Sequence, residues 1–411
     1  MINNDTRNII DSSIGSCLPD SVVKNALQGF DPGKGRVILI SIGKAAWTMA
    51  NAAVGFIGDR ISSGIVITKY GHAQGDIRGI RIFEAGHPVP DSNTFIATEE
   101  VLKLTSDLSE EDTVLFLVSG GGSSLFEYTD CPLEELRKLT SDLLKAGATI
   151  NEINSVRKHL SRVKGGRFAL HVSPAKIYSV ILSDVLGDDP SVIASGPASA
   201  DTSTVKDVET VLEKYGIEVS ESIRNILREE TPKAVYNAAN VIGGGVSQLC
   251  CAAIRCCDEL GFKTVFLTDR LDTEARYAGE FLSSVALSHA GTDVKTAFIA
   301  GGETVVRVKG NGKGGRNQEF ALSASLKIAG RNNIVIFALG SDGTDGPTDA
   351  AGGCVDGKTR AQIIAKGIDP YESLERNDSY NALAAAESLI FTGPTGTNVN
   401  DLYVALVYPE S

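Results

Sequence analysis

A glycine- and serine-rich loop is the first feature of the sequence whose residue types could bind a ligand. Residues 119–124 read SGGGSS, directly after the apolar run VLFLV and before LFE. Three consecutive glycines let backbone N–H groups converge, and serine hydroxyls add further donors, which suits phosphate or carboxylate. The loop lacks the lysine of a Walker A motif, so the alternative is an ordinary tight turn between a strand and a helix. We favour anion binding by the residues of this loop, which are Ser119, Gly120, Gly121, Gly122, Ser123 and Ser124.

Lys44 lies in a second loop of the same kind, SIGKA, which follows the apolar run VILI. Gly43 lets the chain turn, so we expect Lys44 to project from the first turn of the next helix. A lysine in that position can neutralise a phosphate as a compact point charge. The local sequence is equally compatible with a solvated surface lysine.

Two acidic loops, SDVLGDDP and SDGTDGPTDAAGG, follow apolar runs further along the chain. Their carboxylates belong to Asp184, Asp188, Asp189, Asp342, Asp345 and Asp349. Such loops suit Mg²⁺, which takes one or two carboxylates and leaves its other positions to water and phosphate. Ordinary turn formation is the alternative, and an EF-hand is disfavoured because the motif's final glutamate is absent. We expect metal binding or general-base work from at least one of these carboxylates.

A third loop, GNGKGGRNQE, allows two interpretations. Residues 310–315 contain the GxGxxG pattern of dinucleotide-binding loops, between an apparent strand (VVRV) and an apparent helix (EFALSAS). A dinucleotide site is therefore a rival interpretation. Lys309, Lys313 and Arg316 supply more positive charge than a pyrophosphate needs, and together they suit a phosphoryl group in transfer. Arg316 could bind two phosphate oxygens at once.

The run NSVRKHLSRVKGGR is basic and has a helical pattern. Arg157 and His159 could reach the carboxylate of a substrate, whereas Arg162 and Lys164 are interpreted as solvated residues of a helix face. Nucleophilic catalysis is not indicated, because no GxSxG elbow occurs and none of the five histidines has a triad context. His87, in the segment GHPVPD, is interpreted as a loop residue rather than a base.

Eight short apolar runs supply the strands that must position these loops. They are Val37–Ser41, Gly64–Thr68, Val114–Ser119, Ile177–Ser183, Thr264–Thr268, Thr296–Ala300, Ile334–Leu339 and Leu402–Val407. Continuous apolar strands that alternate with helical patterns predict βαβ units and an α/β fold with largely parallel sheets. Ligands bind outside the carboxyl ends of such strands. A charged helical stretch, Thr204–Glu230, places a boundary between domains 1–232 and 233–411.

Composition narrows the class of protein. The chain has 411 residues, with 39 basic against 51 acidic side chains and a net charge of −12. This balance argues against a nucleic-acid or anionic-membrane partner, although it allows a small anionic ligand held by a few cations. No secretory signal and no apolar run of about 20 residues is visible, so we expect a cytoplasmic protein. Four cysteines between residues 250 and 257 lack CxxC spacing and are interpreted as buried apolar residues.

Taken in order, these motifs resemble those of the type II glycerate kinases, the glycerate 2-kinase family whose C-terminal half is called the MOFRL domain. The matching segments are SIGKAA, AGHPVPD, LVSGGGSSLFE, INSVRKHLSRVKGGRFA, LSDVLGDDPSVIASGP, AGGETVV, GKGGRNQEFAL and GSDGTDGPTDAAGG. Several long motifs in a fixed order are far more specific than any single loop. The resemblance implies a Rossmann-like N-terminal domain, a MOFRL-type C-terminal domain and an active site in the cleft between them.

The activity that the resemblance implies is transfer of a phosphoryl group from ATP to the 2-hydroxyl of D-glycerate, with Mg²⁺ or a similar divalent cation. It places the catalytic lysine at Lys44, the arginine at Arg316 and the acidic residue at Asp342, and Asp184 is our second choice for the proton acceptor. Outside the first loop, the residues expected to bind nucleotide or substrate are Arg157, His159, Glu303, Lys313, Gly314, Gly315 and Asn317. Those expected to hold the metal are Asp189, Asp345 and Asp349.

Two rival functions use the same loops. One is an NAD(P)H-dependent hydroxypyruvate reductase, which depends on the GxGxxG match. The other is a non-catalytic sensor of a phosphorylated three-carbon acid. Both leave the acidic loops unexplained. The partners expected for the kinase are D-glycerate and a nucleotide, without nucleic acid or membrane, and a homodimer is compatible with it.

Overall fold

The computed structural model describes residues 2–410, which form two compact units. The N-terminal unit comprises Pro19–Ser183 and Asp189–Gly243. The C-terminal unit comprises residues 2–18, Asp184–Asp188 and residues 244–410, so helix α1 (Asn4–Ser16) belongs to it. The boundary predicted at 232/233 differs from this division, because the segment after it adds one more strand to the first sheet.

The N-terminal unit alternates strands and helices. Its helices are α2 (Pro19–Leu27), α3 (Ala46–Ile57), α4 (Ser92–Leu104), α5 (Gly122–Leu125), α6 (Leu133–Lys145), α7 (Ile150–Leu160), α8 (Arg167–Val172), α9 (Val205–Tyr215) and α10 (Glu221–Leu227). Its strands are β1 (Val37–Ile42), β2 (Ile61–Lys69), β3 (Ile80–Ala85), β4 (Thr113–Val118), β5 (Lys176–Leu182) and β6 (Ala238–Gly244).

The first sheet has the order β3-β2-β1-β4-β5-β6, and its pairings from β3 to β5 are all parallel. Every residue of β1 and β4 is buried, as expected for central strands covered on both faces. Because the strands run in one direction, the loops after β1, β2 and β4 emerge at the same edge of the sheet. These loops carry Lys44, His72 and the glycine loop at residues 119–124.

The C-terminal unit is built around a second sheet. Its remaining helices are α11 (Val246–Glu259), α12 (Ala275–Ser288), α13 (Arg316–Lys327), α14 (Thr359–Ala365), α15 (Pro370–Glu375) and α16 (Ser379–Ala385). Its strands are β7 (Lys263–Leu271), β8 (Thr296–Gly302), β9 (Ile334–Gly340), β10 (Gly352–Asp356), β11 (Leu389–Ile390) and β12 (Asp401–Val407). Helices α12 and α13 pack on this sheet through a core that includes Phe298, Phe320 and Tyr403.

The second sheet is mixed, with the order β11-β10-β9-β12-β8-β7. The pair β7–β8 is parallel, whereas the other four pairs are antiparallel, which differs from the largely parallel sheet expected here. Strand β12 enters between β8 and β9 in the opposite direction, so Asp401 at its start pairs with Gly302 and Gly340 at the ends of its neighbours. The ends of β8 and β9 and the start of β12 therefore meet at one edge.

Most element predictions are confirmed. The α/β class is confirmed, and all eight predicted strands form, as does helix α13. The charged stretch before residue 230 is two helices, α9 and α10, and the predicted strand VVRV is not a strand. Cys250, Cys256 and Cys257 are buried as predicted, but Cys251 is exposed. Between residues 2 and 410, no helix is both long and apolar enough to cross a membrane.

Candidate active site

The glycine loop of the N-terminal unit is hydrogen-bonded to the loop that carries Lys44. The backbone N–H of Lys44 donates to the carbonyl of Gly120 at 2.9 Å, and the N–H of Ala45 donates to Ser119 Oγ at 3.1 Å. Gly121 has φ +88°, a left-handed conformation that favours glycine. The Ser124 hydroxyl bonds within the glycine loop, since its Oγ donates to the Gly121 carbonyl at 3.1 Å, whereas Ser123 Oγ lies 3.0 Å from Ser195 Oγ. The structure thus brings the two sequence-predicted loops together.

The side chains of Lys44 and His87 both lie against Gly121. A methyl group built on this glycine would lie 3.2 Å from Lys44 Cε and 2.9 Å from His87 Cδ2. Within residues 2–410, the Lys44 ammonium has neither a hydrogen bond nor an ion pair, so it is available to an anion. His87 is a loop residue, as interpreted from the sequence, but its position beside Lys44 is not indicated by any motif.

A buried ionic network contacts the glycine loop through the main chain of Ser123. Arg157 Nη2 donates to the Ser123 carbonyl at 2.8 Å and lies 3.4 Å from Glu127 Oε2. Lys164 Nζ donates to the Phe126 carbonyl at 2.6 Å and lies 3.2 Å from the same Glu127 oxygen. The interpretation of Lys164 as a solvated residue is wrong, because its side chain is 0% exposed. Burial lowers its pKa to about 8, and the Glu127 charge opposes that shift.

Other predicted residues of the N-terminal unit lie outside this cluster. His159 is fully buried, with Nδ1 2.9 Å from the Ser155 carbonyl and Nε2 3.6 Å from Glu230, so the structure gives it a helix-packing environment rather than access to a ligand. Arg162 is half-exposed and paired with Asp130. Asp189 accepts a hydrogen bond from the Ser191 N–H at 2.8 Å, which is an ordinary turn contact.

Arg316 is the centre of the predicted site in the C-terminal unit. Its Nε and Nη2 donate to the two oxygens of Asp401 at 2.5 and 3.0 Å, and its Nη1 donates to Glu303 at 3.0 Å. Burial acts to lower the pKa of Arg316, but the bonds with Asp401 outweigh it and raise this pKa above its ordinary value. Asp401 is fully buried. Hydrogen bonds to two carboxylates thus fix the guanidinium, although 34% of the Arg316 side chain remains exposed.

Asp401, which binds Arg316, is not indicated by any of the sequence motifs. It lies at the amino end of a strand that runs against its neighbours, whereas the rule for parallel sheets directs attention to carboxyl ends. Asn400, the residue before it, donates through Nδ2 to Glu303 Oε2 and to the main-chain oxygen of Asp184, both at 3.3 Å. Glu303, Arg316 and part of the first acidic loop are thereby brought together.

Asp345 holds the start of helix α13, which carries Arg316. Its Oδ1 accepts from the Asn317 N–H at 3.2 Å and its Oδ2 from the Gln318 N–H at 2.8 Å. Burial raises its pKa to about 7, although these two hydrogen bonds oppose the shift. Both oxygens therefore accept hydrogen bonds from the start of α13, an environment that differs from the metal site predicted for Asp345.

The remaining predicted metal ligands do not form a cluster either. Asp349 accepts from the Tyr380 hydroxyl at 2.8 Å. Asp342, the predicted proton acceptor, accepts from the Thr344 N–H at 3.0 Å. Across residues 2–410, no group of three His, Cys, Asp or Glu side chains is arranged to hold a metal ion. The predicted set of Asp189, Asp345 and Asp349 thus does not fit a preformed magnesium site.

The GxGxxG loop is shaped by contacts with the protein itself. A methyl group on Gly310 would lie 2.6 Å from Arg376 Cα, and one on Gly312 would lie 2.5 Å from Asp378 Cβ. These glycines are needed because the loop packs on the segment after α15, which gives a reason for the pattern other than a dinucleotide. The ammonium of Lys313 lies 3.8 Å from the centre of the Tyr380 ring.

Comparison with known proteins decides the family. Residues 5–228 match the model of a domain of unknown function, DUF4147, and residues 296–401 match that of the MOFRL family. A D-glycerate 2-kinase of Thermotoga maritima is 53% identical over 405 residues, which cover 97% of each chain. This chain belongs to the MOFRL family of glycerate kinases. The resemblance seen in the sequence motifs is confirmed.

Other family members extend the comparison. A glycerate 2-kinase of Pyrococcus horikoshii is 43% identical over 391 residues, or 91% of this chain and 88% of that one. The crystal structure of a glycerate kinase from Thermotoga maritima superposes with a TM-score of 0.92 at 52% identity, covering 97% of both chains. A protein of Agrobacterium vitis named putative hydroxypyruvate reductase is 40% identical, below both of these kinases.

Proposed function

We propose that this MOFRL family member is a D-glycerate 2-kinase, which transfers the γ-phosphoryl group of ATP to the 2-hydroxyl of D-glycerate. The observation that carries the proposal is the pair of cations at the two clusters. Lys44 is unpaired above a glycine loop, and Arg316 is fixed by two carboxylates. Phosphoryl transfer needs positioning and charge neutralisation more than it needs covalent chemistry. The names of the two relatives described above support the same activity.

In this proposal, Lys44 and Arg316 neutralise charge on the phosphoryl group as it is transferred. Asp401 is a positioning residue that directs the guanidinium, and Glu303 limits its rotation. The glycine loop holds an anionic group of a reactant through its backbone N–H groups. Asp342 is our first choice for the carboxylate that orients the acceptor hydroxyl and takes its proton, and Asp184 is the second.

The donor and its counter-ion follow from the reaction. A glycerate kinase uses ATP as phosphoryl donor, and Mg²⁺ commonly binds to substrate phosphates while keeping several waters. Because the predicted carboxylates are occupied elsewhere, we propose that a divalent ion accompanies the nucleotide rather than a preformed protein cage. We also propose that the enzyme acts in the cytoplasm, where ATP is available.

The test is incubation of the protein with D-glycerate, ATP and Mg²⁺, followed by ³¹P NMR of the products. We expect signals of ADP and of 2-phosphoglycerate. A 3-phosphoglycerate signal would keep a kinase but contradict the 2-hydroxyl as acceptor. Absence of turnover, together with oxidation of NADH in the presence of hydroxypyruvate, would support the reductase instead.

A further inference from the structure

We propose that His87 contacts a reactant in this active site, where its imidazole donates a hydrogen bond to an anionic oxygen that Lys44 neutralises. The oxygen belongs either to the carboxylate of the acceptor acid or to a phosphate of the nucleotide. The inference extends the proposed function and rests on it, because it assigns a role to a residue in the same cluster.

Geometry places the His87 ring at the glycine loop. A methyl group on Gly121 would lie 3.0 Å from His87 Nε2 and 3.2 Å from Lys44 Cε, so the two side chains flank one glycine. Any side chain at position 121 would displace both His87 and Lys44, whose side chains lie on Gly121. The imidazole edge and the lysine chain consequently border the same space above the loop.

His87 also differs from the other histidines in its hydrogen bonding. In each of the other four histidines, one ring nitrogen lies within 3.0 Å of a main-chain carbonyl oxygen. These histidines are His72, His159, His171 and His289. For His87, no residue in the described range 2–410 provides such a partner. Its ring is only half-buried. Both ring nitrogens are therefore free to bind a ligand.

The charges around His87 define the kind of contact it makes. Partial burial lowers its pKa, and the positive charges of Lys44 and Lys69, with His72, lower it further. The imidazole is accordingly uncharged near neutral pH and supplies one directed N–H, whereas the lysines supply the charge. A neutral N–H donor beside an unpaired lysine therefore suits an anionic oxygen of a ligand.

Isothermal titration calorimetry with ATP and, separately, with D-glycerate tests this contact without requiring turnover. The variants are His87→Ala, which removes the donor, and His87→Gln, which keeps an N–H at similar reach. His289→Gln is the matched control, because His289 lies in the other unit and bonds within its own helix end. Loss of a hydrogen bond to a charged group corresponds to a roughly 10- to 100-fold weaker Kd.

We expect His87→Ala to weaken binding of one of the two ligands by that factor, His87→Gln to recover most of it, and the control to bind like the wild type. Weaker ATP binding identifies a phosphate oxygen, and weaker D-glycerate binding identifies the carboxylate. Unchanged Kd for both ligands would overturn the His87 assignment while leaving the kinase intact. If the wild type binds ATP but does not phosphorylate D-glycerate, the proposed function fails, and the ATP titration still decides the role of His87. A wild type that binds neither ligand overturns both.

Discussion

Replacement of Asp401 by asparagine tests how the C-terminal unit fixes Arg316. In the structure, both carboxylate oxygens of Asp401 accept hydrogen bonds from the guanidinium, at 2.5 and 3.0 Å, and Asp401 is 0% exposed. Asparagine keeps the shape and one acceptor oxygen. Its amide nitrogen replaces the second oxygen and meets an arginine N–H that is also a donor. Asp401→Asn therefore removes one bond and takes the charge from the other.

The magnitude follows from these two bonds. A hydrogen bond to a charged group contributes about 1.5–3 kcal/mol. Because 34% of the Arg316 side chain is exposed, water compensates for part of the loss. We expect the free energy of unfolding to fall by about 2 kcal/mol. A displacement of the freed guanidinium by about 1 Å lowers kcat by about 100-fold.

The assay pairs urea denaturation with steady-state release of ADP. Asp258→Asn is the control, since this exposed residue contacts Thr264 in the same unit and lies outside the proposed site. We expect the control to match the wild type in both measurements. A near-wild-type kcat for Asp401→Asn would refute the claim that Asp401 holds the guanidinium in its working position, whatever the change in stability.

Three further predictions concern stability and the glycine loop. Lys164→Met leaves Glu127 buried without its lysine and should lower the free energy of unfolding, measured by urea titration, by about 3–5 kcal/mol. Adding Glu127→Gln should restore part of this loss. An unchanged urea midpoint for Lys164→Met would contradict the buried ionic network. Burial raises the pKa of Asp345 from 3.8 to about 7, so between these pH values the folded chain holds a proton that the unfolded chain releases. The contribution of Asp345 to the free energy of unfolding is therefore fully present below pH 3.8 and is lost as the pH rises through 7. Asp345→Asn should remove this pH dependence. Between about pH 5 and pH 8, the free energy of unfolding of the wild type should fall by on the order of 2 kcal/mol relative to that of the variant. Parallel plots of the free energy of unfolding against pH would contradict the raised pKa. Gly121→Ala, at φ +88° and against His87, should cost about 1–3 kcal/mol and lower kcat/KM, and unaltered kinetics would show that the loop tolerates a side chain.

Sequence patterns predict the elements of this fold better than their directions. Eight apolar runs identify eight strands, seven of which are largely buried, because a strand buried on both faces is a continuous apolar run. Strand β7 is only partly buried. The same pattern arises in β12 and β9, although they are antiparallel, because their burial does not depend on direction. The mixed second sheet and the position of Asp401 could not be read from periodicity for that reason.

The site shows a similar division. Lys44 and the glycine loop were found because short polar segments directly follow predicted strands. The environments of Lys164, His159 and His87 depend on residues far away in sequence, such as Glu127 for Lys164 and Gly121 for His87. For Lys164 the local charge pattern predicts a solvated helix face, because its buried partner is not part of that pattern. Tertiary contacts alone distinguish a supporting ion pair from a surface lysine.

Lys44 and Arg316 are proposed to serve one phosphoryl transfer to D-glycerate. The most direct measurement is the rate of D-glycerate-dependent ADP release by the wild type, Lys44→Met and Arg316→Met, with Lys24→Met as a control from an exposed helical ion pair. We predict turnover by the wild type and the control, and a loss of at least about 100-fold in kcat for each of the other two variants. Normal turnover by either Lys44→Met or Arg316→Met would contradict the account.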